Sequence, residues 1–106
     1  RQLKTVERFN PFTGVWKALR DMPTAKAGCS AVGVHGMLYV VGGRFDEDVR
    51  ACVERFDTAV GGWERLPDMP TARSGCSALE LSGLLYAVGG KGNGEIFATV
   101  ERFDPG

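Results

Sequence analysis

The chain lacks the features that mark several classes of protein. Its formal net charge is zero, because 13 lysines and arginines balance 13 aspartates and glutamates. A surface that binds nucleic acid or an anionic membrane would instead show a basic excess or a basic stripe. No apolar run approaches the roughly 20 residues of a membrane-spanning helix. The first ten residues also lack the apolar core of a secretory signal.

Cysteine and histidine are both scarce. The three cysteines are an odd number and form no closed disulfide framework, so a reducing, cytoplasmic compartment is the simpler interpretation. The single histidine, His35, corresponds to Ser82 in the second half of the chain, so no recurring metal-ligand set includes it. No Ser-His-Asp or Cys-His set can be assembled either. These absences favour a binding module over an enzyme, and we expect no metal and no cofactor.

Glycine is abundant, with 15 residues, and most of the sequence is an internal repeat. The segment Val-Glu-Arg-Phe begins at Val6, Val53 and Val100, which gives a period of 47 residues. Residues 6–52 and 53–99 share 23 identities without insertion or deletion. A period of this length is typical of propellers and solenoids, in which each repeat is one supersecondary unit.

Each repeat contains short runs that alternate or are wholly apolar, and no window shows a helical stripe. Turn-forming residues separate four such runs of about five residues, an ordinary strand length. Four short strands in 47 residues have the dimensions of one β-propeller blade. The sequence therefore predicts an all-β fold built from four-stranded antiparallel sheets.

The sequence resembles the kelch repeat. Leu-Tyr-Val-Val-Gly-Gly ends at Gly43 and Leu-Tyr-Ala-Val-Gly-Gly ends at Gly90. Two aromatic residues separated by six others follow, as at Phe56 and Trp63, although the family more often has tyrosine at the first of them. The residue pattern of the repeats most resembles that of the kelch-like branch of the family. Members of that branch carry BTB and BACK domains before the propeller and serve as substrate adaptors of cullin ubiquitin ligases.

The resemblance implies a partial kelch-type propeller of about two blades plus flanking strands. By analogy the strands, from the central channel outward, are a (27–34 and 74–81), b (37–42 and 84–89), c (3–10, 50–57 and 97–104) and d (15–19 and 62–66). The predicted organisation is one kelch-repeat region, 1–106, made of strands c and d of a first blade (1–26), a complete blade (27–73) and strands a, b and c of a further blade (74–106). Because a closed propeller needs about four to eight blades, we expect either a fragment of a six-bladed domain or a unit that self-assembles.

The residues after each double glycine and before each inner strand are the predicted partner-binding positions. In the kelch-like branch these loops form the face that grips partner peptides, so the resemblance implies a protein or peptide partner with acidic groups. Arginine suits two-pronged recognition of a carboxylate. The alternative for each cation is a solvated loop charge. The candidates are Arg44, Arg73, Ser74, Lys26, Lys91, Phe45 and Asn93.

A second group of residues is predicted to be structural. Paired glycines end strand b where a Cβ would obstruct a neighbouring strand. Large aromatic residues fill the widening space between blades. The group comprises Gly42, Gly43, Gly89, Gly90, Trp16, Trp63, Phe9, Phe56 and Phe103.

Taken together, these patterns predict a protein-binding module, and the resemblance implies substrate recognition for a ubiquitin ligase. Two alternatives belong to other classes: an actin or cytoskeletal scaffold, and a designed or truncated repeat protein that self-assembles into a full propeller. Nucleic acid and membranes are not expected partners. Homo-oligomerisation that completes a propeller is a further alternative.

Overall fold

Every regular element of the computed structural model, which describes residues 4–92 and 94–104, is a β-strand. The described residues contain no helix, so the all-β fold class predicted from the sequence is confirmed. The strands are β1 (Glu7–Asn10), β2 (Val15–Ala18), β3 (Ser30–Val34), β4 (Met37–Val41), β5 (Arg44–Phe45), β6 (Asp48–Val49), β7 (Val53–Asp57), β8 (Gly62–Leu66), β9 (Ser77–Leu81), β10 (Leu84–Val88), β11 (Lys91–Gly92), β12 (Glu95–Ile96) and β13 (Val100–Phe103).

The strands pair in antiparallel fashion and repeat one arrangement. The middle of the chain forms a four-stranded sheet in the order β3-β4-β7-β8, which is one complete blade. The later part forms a three-stranded sheet in the order β13-β10-β9, and β1 pairs with β2 as a hairpin. Register also repeats: β10 faces β9 and β13 as β4 faces β3 and β7. The partial kelch-type propeller is therefore present as repeated blade units.

The inner strands are shorter than the sequence predicted. They begin at Ser30 and Ser77, because the backbone at Gly28 and Gly75 has a positive φ of 67° and 66° and leaves the extended conformation. Before those glycines only isolated bridges occur. Of the strand predicted over residues 3–10, only Glu7–Asn10 is observed as a strand (β1); residues 4–6 are not in a strand, and Leu3 lies outside the described residues.

Two tight turns join the inner strands to their neighbours. His35 and Gly36 have φ values of 50° and 78°, and Ser82 and Gly83 have 53° and 81°. Two successive residues with positive φ are what a two-residue hairpin of the I′ type requires, since its twist matches that of the strands. His35 is accordingly an exposed turn residue.

The apolar core lies between the four-stranded and three-stranded sheets. Side chains of β10 pack against side chains of β3, β4 and β7, so burial couples one repeat to the next. Val41, Val53 and Phe56 are each 4% exposed or less. The two buried clusters are Val34, Tyr39 and Leu85, and Val41, Val53 and Ala87.

An aromatic pair recurs on the outer strands. Phe56 and Trp63 are directly cross-strand, with ring centroids 5.1 Å apart and planes inclined at 46°. The Trp63 indole N–H also donates to the carbonyl of Arg20, 2.9 Å away, which ties β8 to the segment before the blade. Phe9 and Trp16 keep nearly the same geometry, at 5.0 Å and 44°, but are 44% and 65% exposed. Of these two pairs, only Phe9–Trp16 is largely exposed to solvent.

The glycine pair at the end of β4 is packed against the next repeat. Gly42 and Gly43 have φ values of 68° and 103°, conformations that side-chain-bearing residues rarely adopt. The Gly43 N–H donates to the carbonyl oxygen of Arg73 at 2.8 Å, and a Cβ on Gly42 would overlap that same oxygen. The pair thus allows two repeats to approach backbone to backbone.

Candidate partner-binding surface

Two short hairpins follow the glycine pairs and lie where the sequence predicted plain loops. In the first, β5 pairs with β6, and in the second, β11 pairs with β12. Residues 44–49 and 91–96 are called the loop face below. Asp46, at the turn of the first hairpin, has a φ of 55°, which is uncommon for a residue other than glycine. The loop face is therefore partly ordered by its own strand pairing.

Backbone hydrogen bonds fix the base of each hairpin to the start of an inner strand. Arg44 and Ala27 exchange two such bonds, of 2.8 and 3.0 Å. Lys91 and Ser74 do the same at 2.9 and 2.8 Å. The recognition positions predicted after the double glycine are therefore held by the backbone, which leaves the side chains of Arg44 and Lys91 free to project.

The loop face carries both signs of charge. Arg44 and Lys91 are exposed, as are the acidic residues Asp46, Glu47 and Glu95. One guanidinium nitrogen of Arg44 donates to the backbone carbonyl of Asp46 at 3.2 Å, which bends the arginine over its own turn. The remaining donors of that guanidinium are available to a carboxylate.

Apolar side chains accompany these charges. Phe45 is 43% exposed and Ile96 is 89% exposed, one on each hairpin. Between the hairpins is an open concavity of about 600 Å³, lined by Arg44, Glu47, Ser74, Lys91, Glu95 and Ile96 among others. The concavity therefore has charged side chains and the exposed apolar side chain of Ile96 in its lining.

Arg73 lies in the interior of the protein. The prediction put it on the partner-facing surface, but its side chain is fully buried. It donates to the carbonyl oxygens of Gly89 and Thr99 at 2.7 and 3.0 Å and to the Thr99 hydroxyl at 2.7 Å. It also lies 3.4 Å from the carboxylate of Glu101. The surface placement predicted for Arg73 is therefore corrected, because its guanidinium is bound to groups at the end of β10 and the start of β13.

Lys26 also points inward, which corrects its expected placement on the surface. The residue is 5% exposed, and its ammonium nitrogen lies 2.8 Å from the carboxylate of the fully buried Glu54. The Thr24 hydroxyl donates to the other oxygen of that carboxylate at 3.1 Å. Lys26–Glu54 and Arg73–Glu101 are thus equivalent ion pairs in successive repeats, and both cations are buried.

The other predicted site residues divide between surface and interior. Arg44, Lys91 and Phe45 are exposed on the loop face. Ser74 is 2% exposed and its hydroxyl donates to the carbonyl of Lys91, so it forms the floor of the concavity. Asn93 lies outside the described residues.

The binding positions predicted from the sequence did not include Ile96 or Glu95. Their signal was present, since residues 44–49 and 91–96 differ at every position between repeats whereas the glycine pairs before them are shared. What the sequence did not show was that each variable segment folds into a hairpin, which brings its far end back beside its first residue.

The carboxyl of Glu101 has a pKa below its ordinary value. Partial burial alone raises this pKa, but hydrogen bonds from Thr71 and Arg73 and the positive charge of Arg73 together outweigh burial. The Thr71 hydroxyl lies 2.5 Å from one carboxylate oxygen. The anionic form of Glu101 is therefore part of the folded structure.

Acid should destabilise the chain through this group. A carboxyl whose pKa is lower when folded contributes stability that is present above its unfolded pKa, about 4.3, and is lost as the pH falls through the folded value. We expect the melting temperature to fall as the pH is lowered below about 4.3. Calorimetry between neutral and acidic pH measures this fall, and Glu101→Gln should be less stable at neutral pH with a shallower acid dependence. An unchanged acid dependence in the variant would contradict the assignment.

Two further observations bear on the class of site. Among residues 4–92 and 94–104, no three histidine, cysteine, aspartate or glutamate side chains gather closely enough to hold a metal ion. In the same described part of the chain, no helix has the length and apolar character needed to cross a membrane.

Comparison with known proteins agrees with the repeated blades. A family model described as the Kelch motif matches residues 25–70 and 72–106. Kelch-like protein 35 of Mus musculus is 37% identical over 49 residues, which is 46% of this chain and 8% of the relative. Kelch-like ECH-associated protein 1B of Danio rerio is 41% identical over 44 residues, 42% of this chain and 8% of that relative. The matched part of the chain thus spans only a small fraction of these relatives.

Proposed function

This chain belongs to the Kelch-motif family, and we propose that it is a protein-binding module whose partner lies on the loop face. One observation carries the proposal. The two segments that differ most between otherwise similar repeats are the two hairpins that surround the concavity. Repeated elements build a scaffold, whereas variable exposed segments on that scaffold are suited to recognition.

The chemistry of the loop face indicates the kind of partner. Arg44 and Lys91 project from equivalent positions, so a peptide carboxylate between the hairpins could be reached from both sides. Arg44 offers a two-pronged donor and Lys91 a point charge. Ile96, largely exposed, offers an apolar contact beside them. We propose a peptide that pairs an acidic residue with an apolar one.

A role in ubiquitin-ligase substrate recognition is the finer form of this proposal. It rests on the resemblance to the kelch-like branch and on relatives that are themselves named kelch-like. Presence of BTB and BACK domains beside this region would support the adaptor role, and their absence would count against it.

Self-association and cytoplasmic location stay predictions. β1 and β13 both contain Glu-Arg-Phe, and in the complete blade the equivalent strand β7 pairs with β8. β2 carries Trp16 at the position of Trp63 in β8. We propose that β2 of one copy can pair with β13 of another as β8 pairs with β7, which leaves one strand c redundant at each junction because β1 already pairs with β2.

Replacing both exposed cations of the loop face should weaken partner binding while leaving the fold intact. A random peptide library supplies a ligand, and fluorescence anisotropy then measures its affinity for wild type and for the Arg44→Ala/Lys91→Ala double variant. Each charged hydrogen bond contributes about 1.5–3 kcal/mol, so we expect the affinity to fall at least about tenfold, which corresponds to 1.4 kcal/mol.

Matched variants separate this effect from a change in overall charge. Lys17→Ala together with Arg65→Ala removes two exposed cations from β2 and β8, outside the loop face. Binding by this control should match wild type, and the melting temperature of both variants should shift little, since exposed substitutions change stability by only about 0.5 kcal/mol. Equal affinity of the loop-face variant and the control would overturn the proposal.

A further inference from the structure

A buried amine and a buried thiol are in contact beneath the loop face. The ammonium nitrogen of Lys26 lies 3.5 Å from the sulfur of Cys52, and the two residues are 5% and 4% exposed. The carboxylate of Glu54 lies 2.8 Å from the same nitrogen. That carboxylate oxygen has no aligned hydrogen bond, although Glu54 is fully buried. An amine, a thiol and a proton acceptor therefore share one enclosed site.

The next repeat has the same arrangement with unreactive groups. There Arg73 replaces the lysine and Thr99 replaces the cysteine, and the guanidinium donates to the Thr99 hydroxyl at 2.7 Å. The fold therefore accepts either pair of side chains at this position. Only the first repeat places a nucleophilic amine against an oxidisable sulfur.

We infer that Cys52 and Lys26 form a covalent sulfenamide cross-link when the protein is oxidised by hydrogen peroxide. Peroxide first oxidises the thiol by two electrons to a sulfenic acid and is itself reduced to water. The Lys26 ammonium passes one proton to Glu54, and the free amine attacks the sulfenic sulfur. The S–N bond forms as the S–O bond breaks, and the departing hydroxide takes the second amine proton to leave as water. The net change in the protein is the loss of two hydrogens.

The surroundings favour this product over further oxidation of sulfur. The amine is already in contact with the sulfur, so the attack is intramolecular and needs only rotation of the lysine stem. Burial slows the entry of peroxide, and for the same reason it protects the sulfenic acid from a second molecule of peroxide.

The link would join the segments at the base of the first hairpin. Ala27, next to Lys26, exchanges backbone hydrogen bonds with Arg44. The Cys52 carbonyl accepts from the N–H of Gly42 at 2.9 Å. A covalent bond between residues 26 and 52 therefore ties together both anchors of that hairpin, beside the loop face.

Peptide mass spectrometry tests the link on the folded full chain. The protein is incubated with hydrogen peroxide, alkylated and digested with trypsin, which does not cut after a modified lysine. We expect residues 21–44, uncut at Lys26, joined to residues 51–55, with two hydrogens fewer than the separate peptides. Dithiothreitol should separate them and restore cutting at Lys26. Normal cutting at Lys26 in a sample whose Cys29 has been oxidised would overturn the inference.

Three variants identify the atoms involved. Lys26→Arg and Cys52→Thr copy the side chains of the other repeat and should fold, and each should abolish the link. Cys29→Ser removes the single cysteine of peptide 21–44, and the link to Cys52 should persist in this variant. A linked product that survives in Lys26→Arg, or that disappears in Cys29→Ser, would show a different bond and sink the proposal.

Discussion

Replacing Arg73 by alanine is expected to lower the free energy of unfolding by about 3–5 kcal/mol, the usual cost of removing one partner of a buried ion pair. The truncation removes the charge that faces Glu101 and the donors to the carbonyls of Gly89 and Thr99. Those oxygens lie in the interface between β10 and β13. The cost therefore arises chiefly from groups that lose their partner.

Urea denaturation followed by tryptophan fluorescence measures this loss. Arg44→Ala is the matched control, because it removes the same kind of side chain from the exposed loop face and should change stability by no more than about 0.5 kcal/mol. Arg73→Lys should recover only part of the loss, since an ammonium cannot reproduce the planar donor geometry of a guanidinium. Equal stability of the Arg73→Ala and Arg44→Ala variants would mean that Arg73 has no structural role.

Arg73 and Arg44 show what the sequence could not predict, namely whether a recurring basic side chain is buried or exposed. Each of these arginines occupies a position that is basic in both repeats. Arg73 corresponds to Lys26, just before an inner strand, and Arg44 corresponds to Lys91, just after a glycine pair. Recurrence alone does not say whether a side chain points inward or outward. The direction follows from a long-range contact, since Arg73 reaches Glu101, which is 28 residues away along the chain.

The sequence predicted the fold more completely than it predicted the site. The period of 47 residues and the runs between turn-forming residues predicted the strands, and the kelch resemblance implied their order within a blade. The sequence predicts loops at 44–49 and 91–96, because two-residue strands carry too little alternation to detect. Their pairing is decided by the anchors at Ala27 and Ser74, which no local pattern reveals.

Among substitutions that add a single methyl group to the four-stranded blade, Gly42→Ala should lower the stability most. Two costs add at this position. A positive φ costs a residue with a Cβ about 1–2 kcal/mol, and the overlap of that Cβ with the Arg73 carbonyl oxygen adds about 1–3 kcal/mol of overpacking. The oxygen cannot move away without breaking its 2.8 Å hydrogen bond from the N–H of Gly43. We therefore expect a total loss of about 2–5 kcal/mol.

Gly61→Ala separates the two costs. Gly61 lies in the turn between β7 and β8 with a φ of 74°, close to the 68° of Gly42, but a Cβ there would meet nothing within 4 Å. Its replacement should cost only the backbone term of about 1–2 kcal/mol. The difference between the two variants in urea denaturation then measures the close approach of successive repeats at Gly42. If both alanines cost the same, the glycine pair is required for its turn alone, and the contact with Arg73 does not constrain the spacing of the blades.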